Sequence, residues 1–140
     1  MRKPLQVYIV EDSPILQRLL ISAIEGGGAE IVGCSCDADA AIADLFTAQP
    51  DVVVLDISLK SGSGFDVLKV LQEHNLVPEA IKVVLTNHAT AEYREICTLL
   101  GADRFFDKME TAKALAFIGA LATDGGGSPA GRRASAAARA

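Results

Sequence analysis

The sequence predicts an α/β fold: a doubly wound, five-stranded parallel sheet with helices on both faces. Three observations lead there. Short apolar runs rich in β-branched residues alternate with amphipathic helical patterns five times along the 140 residues. The central run, Val52-Val53-Val54-Leu55, has no polar alternation, which is what a strand covered on both faces requires. The connections between runs are short, so successive parallel strands must be joined by right-handed crossovers through the helices.

The first strand is expected over Gln6–Val10. Ser13 is placed to cap the first helix and Pro14 stands at its first position, where a missing N–H costs nothing. Leu16, Leu19, Leu20, Ala23 and Ile24 then follow helical spacing and form one inward stripe, and Gly26-Gly27-Gly28 stops the helix. The second strand is Glu30–Cys34. The second helix runs from about 39 to 49 with Ile42, Leu45 and Phe46 inward, and Pro50 ends it. The third strand is Asp51–Ile57, and the helix Phe65–His74 buries Val67, Leu68 and Leu71. Ile81–Leu85 is the fourth strand, followed by a helix over Ala91–Leu100 with Ile96, Leu99 and Leu100 on one side. Asp103–Phe106 and the helix Ala112–Ala122, carrying Leu115, Phe117, Ile118 and Leu121, complete the pattern. The domain is therefore expected over 1–123. Residues 124–140 are rich in Gly, Ala and Arg and hold no large apolar side chain, so they are expected to form a flexible tail.

Half the residues are apolar and 22% are charged, ordinary values for a globular domain. No apolar run reaches the ~18–20 residues of a membrane helix, and the N-terminus enters a strand directly, without the pattern of a signal peptide. A cytoplasmic location and no membrane association follow as expectations. The formal charge of −5 argues against a nucleic-acid partner, because phosphate binding needs a basic patch. Cys34, Cys36 and Cys97 form an odd set with no second Cys/His pair to complete a zinc site, and reduced structural thiols are expected. Arg132-Arg133-Ala134-Ser135 resembles a basic kinase substrate site, but in so alanine-rich a terminus it reads as part of a solubilising tail.

Ligands of open α/β sheets bind beyond the carboxyl ends of the strands. Here those ends carry Glu11-Asp12, Asp56 with Ser58 two further on, Thr86-Asn87, and Lys108. Three carboxylates, a hydroxyl and an ammonium therefore converge on one edge. Crowded carboxylates repel and raise one another's pKa. A hard divalent cation relieves the repulsion, and an all-oxygen donor set suits Mg²⁺. A rigid carboxylate beside a metal site, an ammonium and a hydroxyl is equipped for phosphoryl transfer.

In these residues the sequence resembles the receiver domains of bacterial response regulators, from about Gln6 to Ala122. The motifs are Val7-Tyr-Ile-Val-Glu-Asp12, Val52-Val-Val-Leu-Asp56, Val83-Val-Leu-Thr86 and Phe105-Phe-Asp-Lys108. Asp56 stands 44 positions after Asp12, with Thr86 30 and Lys108 52 positions beyond Asp56. The resemblance implies strand order 2-1-3-4-5, the flavodoxin-like order that chemotaxis receivers exemplify. It implies that Asp56 accepts a phosphoryl group from a sensor histidine kinase or a phosphotransfer protein. Asp12, Asp56 and the Ser58 backbone carbonyl would bind Mg²⁺, with Glu11 reaching it through water. Lys108 would pair with the phosphoryl oxygens and Thr86 would hydrogen-bond to one of them. Phe105 occupies the family's aromatic switch position, expected to turn inward when Thr86 moves toward the phosphoryl group. Ser58 and His88 fall at positions that tune hydrolysis of the aspartyl phosphate. A downstream protein would bind the face of the fourth helix, fifth strand and fifth helix, and a homodimer is allowed.

The chain departs from the family pattern at three places. Met109 follows Lys108 where proline is usual, Lys60 replaces a proline after the phosphoacceptor, and Phe105 lacks a tyrosine's hydroxyl. The function expected is that of a single-domain response regulator that is a phosphoacceptor rather than an enzyme. The alternative is a receiver-like interaction module regulated without phosphate. A phosphatase with an aspartate nucleophile ranks last, because Ser58 stands where a second carboxylate is needed. The stretch Gly62-Ser-Gly64-Phe-Asp-Val67 matches only half of a dinucleotide fingerprint and follows the wrong strand.

Overall fold

The computed structural model describes residues 3–124. Five strands, β1 (Gln6–Val10), β2 (Glu30–Ser35), β3 (Val52–Leu55), β4 (Ile81–Thr86) and β5 (Arg104–Asp107), alternate with α1 (Pro14–Gly26), α2 (Ala38–Leu45), α3 (Gly64–Glu73), α4 (Ala91–Leu99) and α5 (Thr111–Asp124). All strand pairs are parallel, in the order β2-β1-β3-β4-β5. α5 ends one residue past the expected domain boundary, and 125–140, nearly all of the expected tail, lie outside the described residues. No helix among the described residues is long and apolar enough to cross a membrane.

β3 explains its own sequence. Val53 and Leu55 enter a core with Tyr8, Leu45, Leu68 and Val84 under α2, α3 and α4. Val52 and Val54 enter a second core with Ile9, Leu20, Val83 and Ile118 under α1 and α5. Each face of the strand is covered, so no position is left for a polar side chain.

Each helix is started by its sequence. Ser13, Asp37, Ser63 and Thr90 cap α1 to α4, each side chain accepting a backbone N–H from the first turn. Three large residues expected inward are exposed: Leu19 (51%), Phe46 (54%) and Leu99 (72%). On α1 the buried seam is Leu16, Leu20, Ile21 and Ile24, and Leu19 sits ~100° around the helix from Leu20. Leu99 stands in the same relation to Leu100 on α4. Ala23 is exposed for the same reason as Leu19. α2 is shorter than expected, ending at Leu45 with Phe46 as its C-cap. β3 also stops short, so Asp56 and Ile57 follow the strand.

β1 and β2 are offset by a bulge: Val7 pairs with Ile31, and Tyr8 with Gly33. The Tyr8 ring lies over Gly33, where an added Cβ would come within 2.5 Å of Tyr8 Cε2. The Tyr8 hydroxyl donates to Asp44 Oδ2 at 2.5 Å. Burial first, and that bond second, raise its pKa. Cys34, Cys36 and Cys97 are free thiols.

Candidate functional site

The carboxyl edge of the sheet gathers the predicted residues by simple register. Glu11 follows β1 and is tied across to β2 by Glu11 N–H donating to Ser35 O at 2.9 Å. Asp56 follows β3, its N–H donating to Val10 O at 3.0 Å. The two central strands therefore end at one level, side by side. Carboxylate oxygens of Glu11, Asp12 and Asp56 all lie within 4.8 Å of one another. Glu11 and Asp56 are buried, while Asp12 is exposed at the mouth.

Lys108 directly follows β5. Its Nζ lies 2.7 Å from Asp56 Oδ2 and 3.0 Å from Glu11 Oε1. Lys108–Met109 is trans, since no described peptide is cis. Lys108 instead opens a short 3₁₀ turn, Lys108–Glu110, closed by reciprocal hydrogen bonds between Asp107 and Glu110. Thr111 Oγ1 also donates to Lys108 O at 2.5 Å. Met109 itself points to solvent, 93% exposed. Lys108 thus reaches the site from the first position of a 3₁₀ turn, with Met109 rather than proline after it.

The electrostatics follow from burial. Burial raises the Glu11 pKa, against the opposing pull of the Ser13 N–H and the Lys108 ammonium, and the Asp56 charge adds to the rise. Burial disfavours the Lys108 charge, yet its bonds to Asp56 and Glu11 outweigh that and hold its pKa above the ordinary value. One ammonium faces three carboxylates, so the cluster has room for a further positive charge. Its donors are all hard oxygens, which fits Mg²⁺ rather than a softer metal.

The other predicted residues take flanking places. Thr86 is fully buried at the end of β4, and its Oγ1 accepts the His88 N–H at 3.1 Å. Ser58 and His88 are exposed in the loops after β3 and β4, and Ser58 N–H approaches Asp56 Oδ1 at 3.3 Å. Phe105 is already buried, 9% exposed, with Asp56 paired to Lys108. The ring is thus inward in the structure in which Lys108 pairs with Asp56.

Two contributors escaped the sequence reading. Gly64 begins α3 against the Asp56 loop, donating its N–H to Ile57 O at 2.8 Å. A Cβ there would lie 2.2 Å from Asp56 O. The half-fingerprint of glycines is thus a packing requirement beneath the site. Its only sequence signal was a glycine directly after the capping Ser63. The second is Arg94 of α4, whose guanidinium lies 4.7 Å from the Phe105 ring centroid.

The sequence model described as "Response regulator receiver domain" matches residues 7–117. The chain belongs to that family. Receiver domains serve two-component signalling, and phosphorylation on aspartate and Mg²⁺ at an acidic cluster are typical of them. Over 106 residues this receiver is 34% identical to the probable transcriptional regulatory protein TcrX of Mycobacterium tuberculosis, covering 76% of this chain and 44% of that protein. It is 30% identical to protein-glutamate methylesterase/protein-glutamine glutaminase 2 of Vibrio vulnificus over 120 residues, 85% of this chain and 34% of that one. The receiver thus spans less than half the length of these two relatives. Among solved structures, the signal receiver domain of the putative response regulator NarL from Mycobacterium tuberculosis superposes with a TM-score of 0.73 at 21% identity, covering 84% of this chain and 97% of that one. At that identity the likeness speaks for the fold, including its 2-1-3-4-5 strand order.

Proposed function

We propose that this receiver accepts a phosphoryl group on Asp56 and signals through its α4–β5–α5 face. The observation that carries the reading is the Lys108 ammonium, 2.7 Å from Asp56 Oδ2, within a cluster of three carboxylates. An Asp56 oxygen attacks phosphorus, and the P–N bond to the donor histidine of a kinase or phosphotransfer protein breaks, leaving its imidazole. Lys108 exchanges its bond with the carboxylate for one to a phosphoryl oxygen, offsetting charge that grows in transfer. Thr86 offers a hydroxyl to another oxygen. Glu11, Asp12, Asp56 and the Ser58 carbonyl would hold Mg²⁺, which when bound neutralises the charge of the carboxylates and the incoming phosphoryl group. Ser58 and His88, exposed in the loops after β3 and β4, would govern the access of water and so the lifetime of the product.

The role proposed is that of a phosphoacceptor acting on a protein partner in the cytoplasm, with neither a turnover reaction of its own nor a nucleic-acid ligand. Intact-protein mass after incubation with a small-molecule phosphodonor and Mg²⁺ tests the chemistry. One phosphoryl group is expected, absent from Asp56→Asn and from metal-free protein. No adduct, together with no binding of beryllofluoride, would overturn the reading in favour of a phosphate-independent module. Action as a single-domain regulator requires a polypeptide of 14.7 kDa in denatured cell extract, and a longer polypeptide would overturn that part.

A further inference from the structure

Phe105 is held by more than core packing. The ring projects from β5 into the core beneath α3 and α4, among Val84, Cys97 and the half-buried Tyr93. Arg94, one turn into α4, closes the outer side of that space. Its guanidinium carbon sits 4.7 Å from the ring centroid, within the ~6 Å over which a cation is attracted by an aromatic face. The same guanidinium donates Nη1–H to the Phe105 carbonyl at 3.3 Å. One side chain thus grips both the ring and the backbone of one residue.

β5 is the edge of the sheet, so this bond comes from outside the strand ladder and ties the edge strand to α4. α4 is itself anchored where the grip needs it: Thr90 caps the helix, and the Arg94 N–H donates to Thr90 O at 2.9 Å. Beside the ring lies a cavity of about 220 Å³ lined by Arg94, Thr98, Ala102, Asp103, Arg104 and Phe105. It gives the ring a place to swing out when the guanidinium lifts.

We propose that Arg94 is the positioning residue that keeps Phe105 buried, acting as a clamp between α4 and β5. The shape of the α4–β5 face is then set in part by this one side chain. A partner reshapes that face by engaging the Arg94 guanidinium, for example with a carboxylate that competes with the ring and the carbonyl. This consequence rests on the function proposed above; the clamp itself does not.

The test uses the whole chain labelled with 4-fluorophenylalanine, the Phe105 signal being assigned by its loss in Phe105→Leu. Its exposure is read as broadening by a soluble paramagnetic agent in the native protein, Arg94→Lys and Arg94→Ala. Native protein is expected to show a protected signal. Arg94→Ala is expected to raise broadening about tenfold, since it removes the stacking and the hydrogen bond together. Arg94→Lys keeps the charge but loses the planar fork, and is expected to fall between. Circular dichroism and the signals of the other four Phe residues separate release of one ring from unfolding. Equal protection in native protein and in a folded Arg94→Ala would overturn the clamp. So would an exposed native signal that becomes protected only on adding beryllofluoride and Mg²⁺. Failure of beryllofluoride to perturb the Asp56 neighbourhood counts against the phosphoacceptor reading alone, because the comparison of variants decides the clamp without it.

Discussion

Replacing Gly64 by alanine is the sharpest probe of how the fold supports the site. The new Cβ would stand 2.2 Å from Asp56 O, 2.9 Å from Asp56 C and 2.9 Å from Ile57 Cα. All three are backbone atoms, so no side-chain rotation relieves the contact. The first turn of α3 must therefore move off the end of β3 by about an ångström, on the scale of ordinary carbon contacts of ~3.5–4.0 Å. That shift weakens the Gly64 N–H bond to Ile57 O and the capping box of Ser63 with Asp66. Overpacking costs ~1–3 kcal/mol, and a hydrogen bond or cap adds ~1 kcal/mol. A loss of about 3 kcal/mol lowers the Tm of a domain this size by about 10 °C. Gly119→Ala is the matched control, because a Cβ inside α5 meets nothing within 4 Å. There the substitution stabilises by ~0.5–1 kcal/mol through helix propensity. Thermal unfolding followed by circular dichroism measures both, and phosphoryl incorporation shows whether the Asp56 loop has moved. A Gly64→Ala protein melting within about 2 °C of native would refute the close approach.

Three further outcomes are expected. Because burial and the bond to Asp44 raise the Tyr8 pKa, its contribution is full below the unfolded pKa of ~10 and is lost as pH rises through the higher folded value. Tyr8→Phe should cost ~1 kcal/mol at neutral pH and flatten the alkaline limb of the stability curve in urea titrations; an unchanged alkaline limb would contradict this. Burial pushes the Cys97 thiol up to about 11, leaving on the order of 0.1% thiolate at pH 8. Mass-mapped alkylation of native protein should therefore reach Cys97 last, and early modification would show that α4 opens. Leu99→Ser should change stability by less than ~0.5 kcal/mol, whereas Leu45→Ala should cost ~2–5 kcal/mol; equal losses in chemical denaturation would put Leu99 back in the core.

The elements most legible in the sequence are those whose determinants are local. The cap at Ser13, read from the sequence, acts within three residues of itself, and the structure shows the same local device at Asp37, Ser63 and Thr90. The unbroken apolar run of β3 states that both its faces are covered. Glu11, Asp12, Asp56 and Lys108 are gathered by sequence position alone, because each ends or follows a strand and parallel strands bring those ends to one edge. Leu19 and Leu99 fall outside the buried seams because helical spacing defines a stripe without saying where its centre lies. The neighbouring elements choose the seam, and they chose Leu20 and Leu100.

By itself, then, the sequence determined the α/β class, the start of each helix, the covered central strand and the membership of the acidic cluster. These depend on residue type and on periods of two and 3.6 residues, which are written along the chain. The tertiary structure alone decided that Gly64 is excluded from bearing a side chain, and that a 3₁₀ turn aims Lys108 where proline is absent. It also decided that Arg94 closes over Phe105. Each of these depends on distances between atoms that the fold brings together, and no local pattern in the chain encodes such a distance.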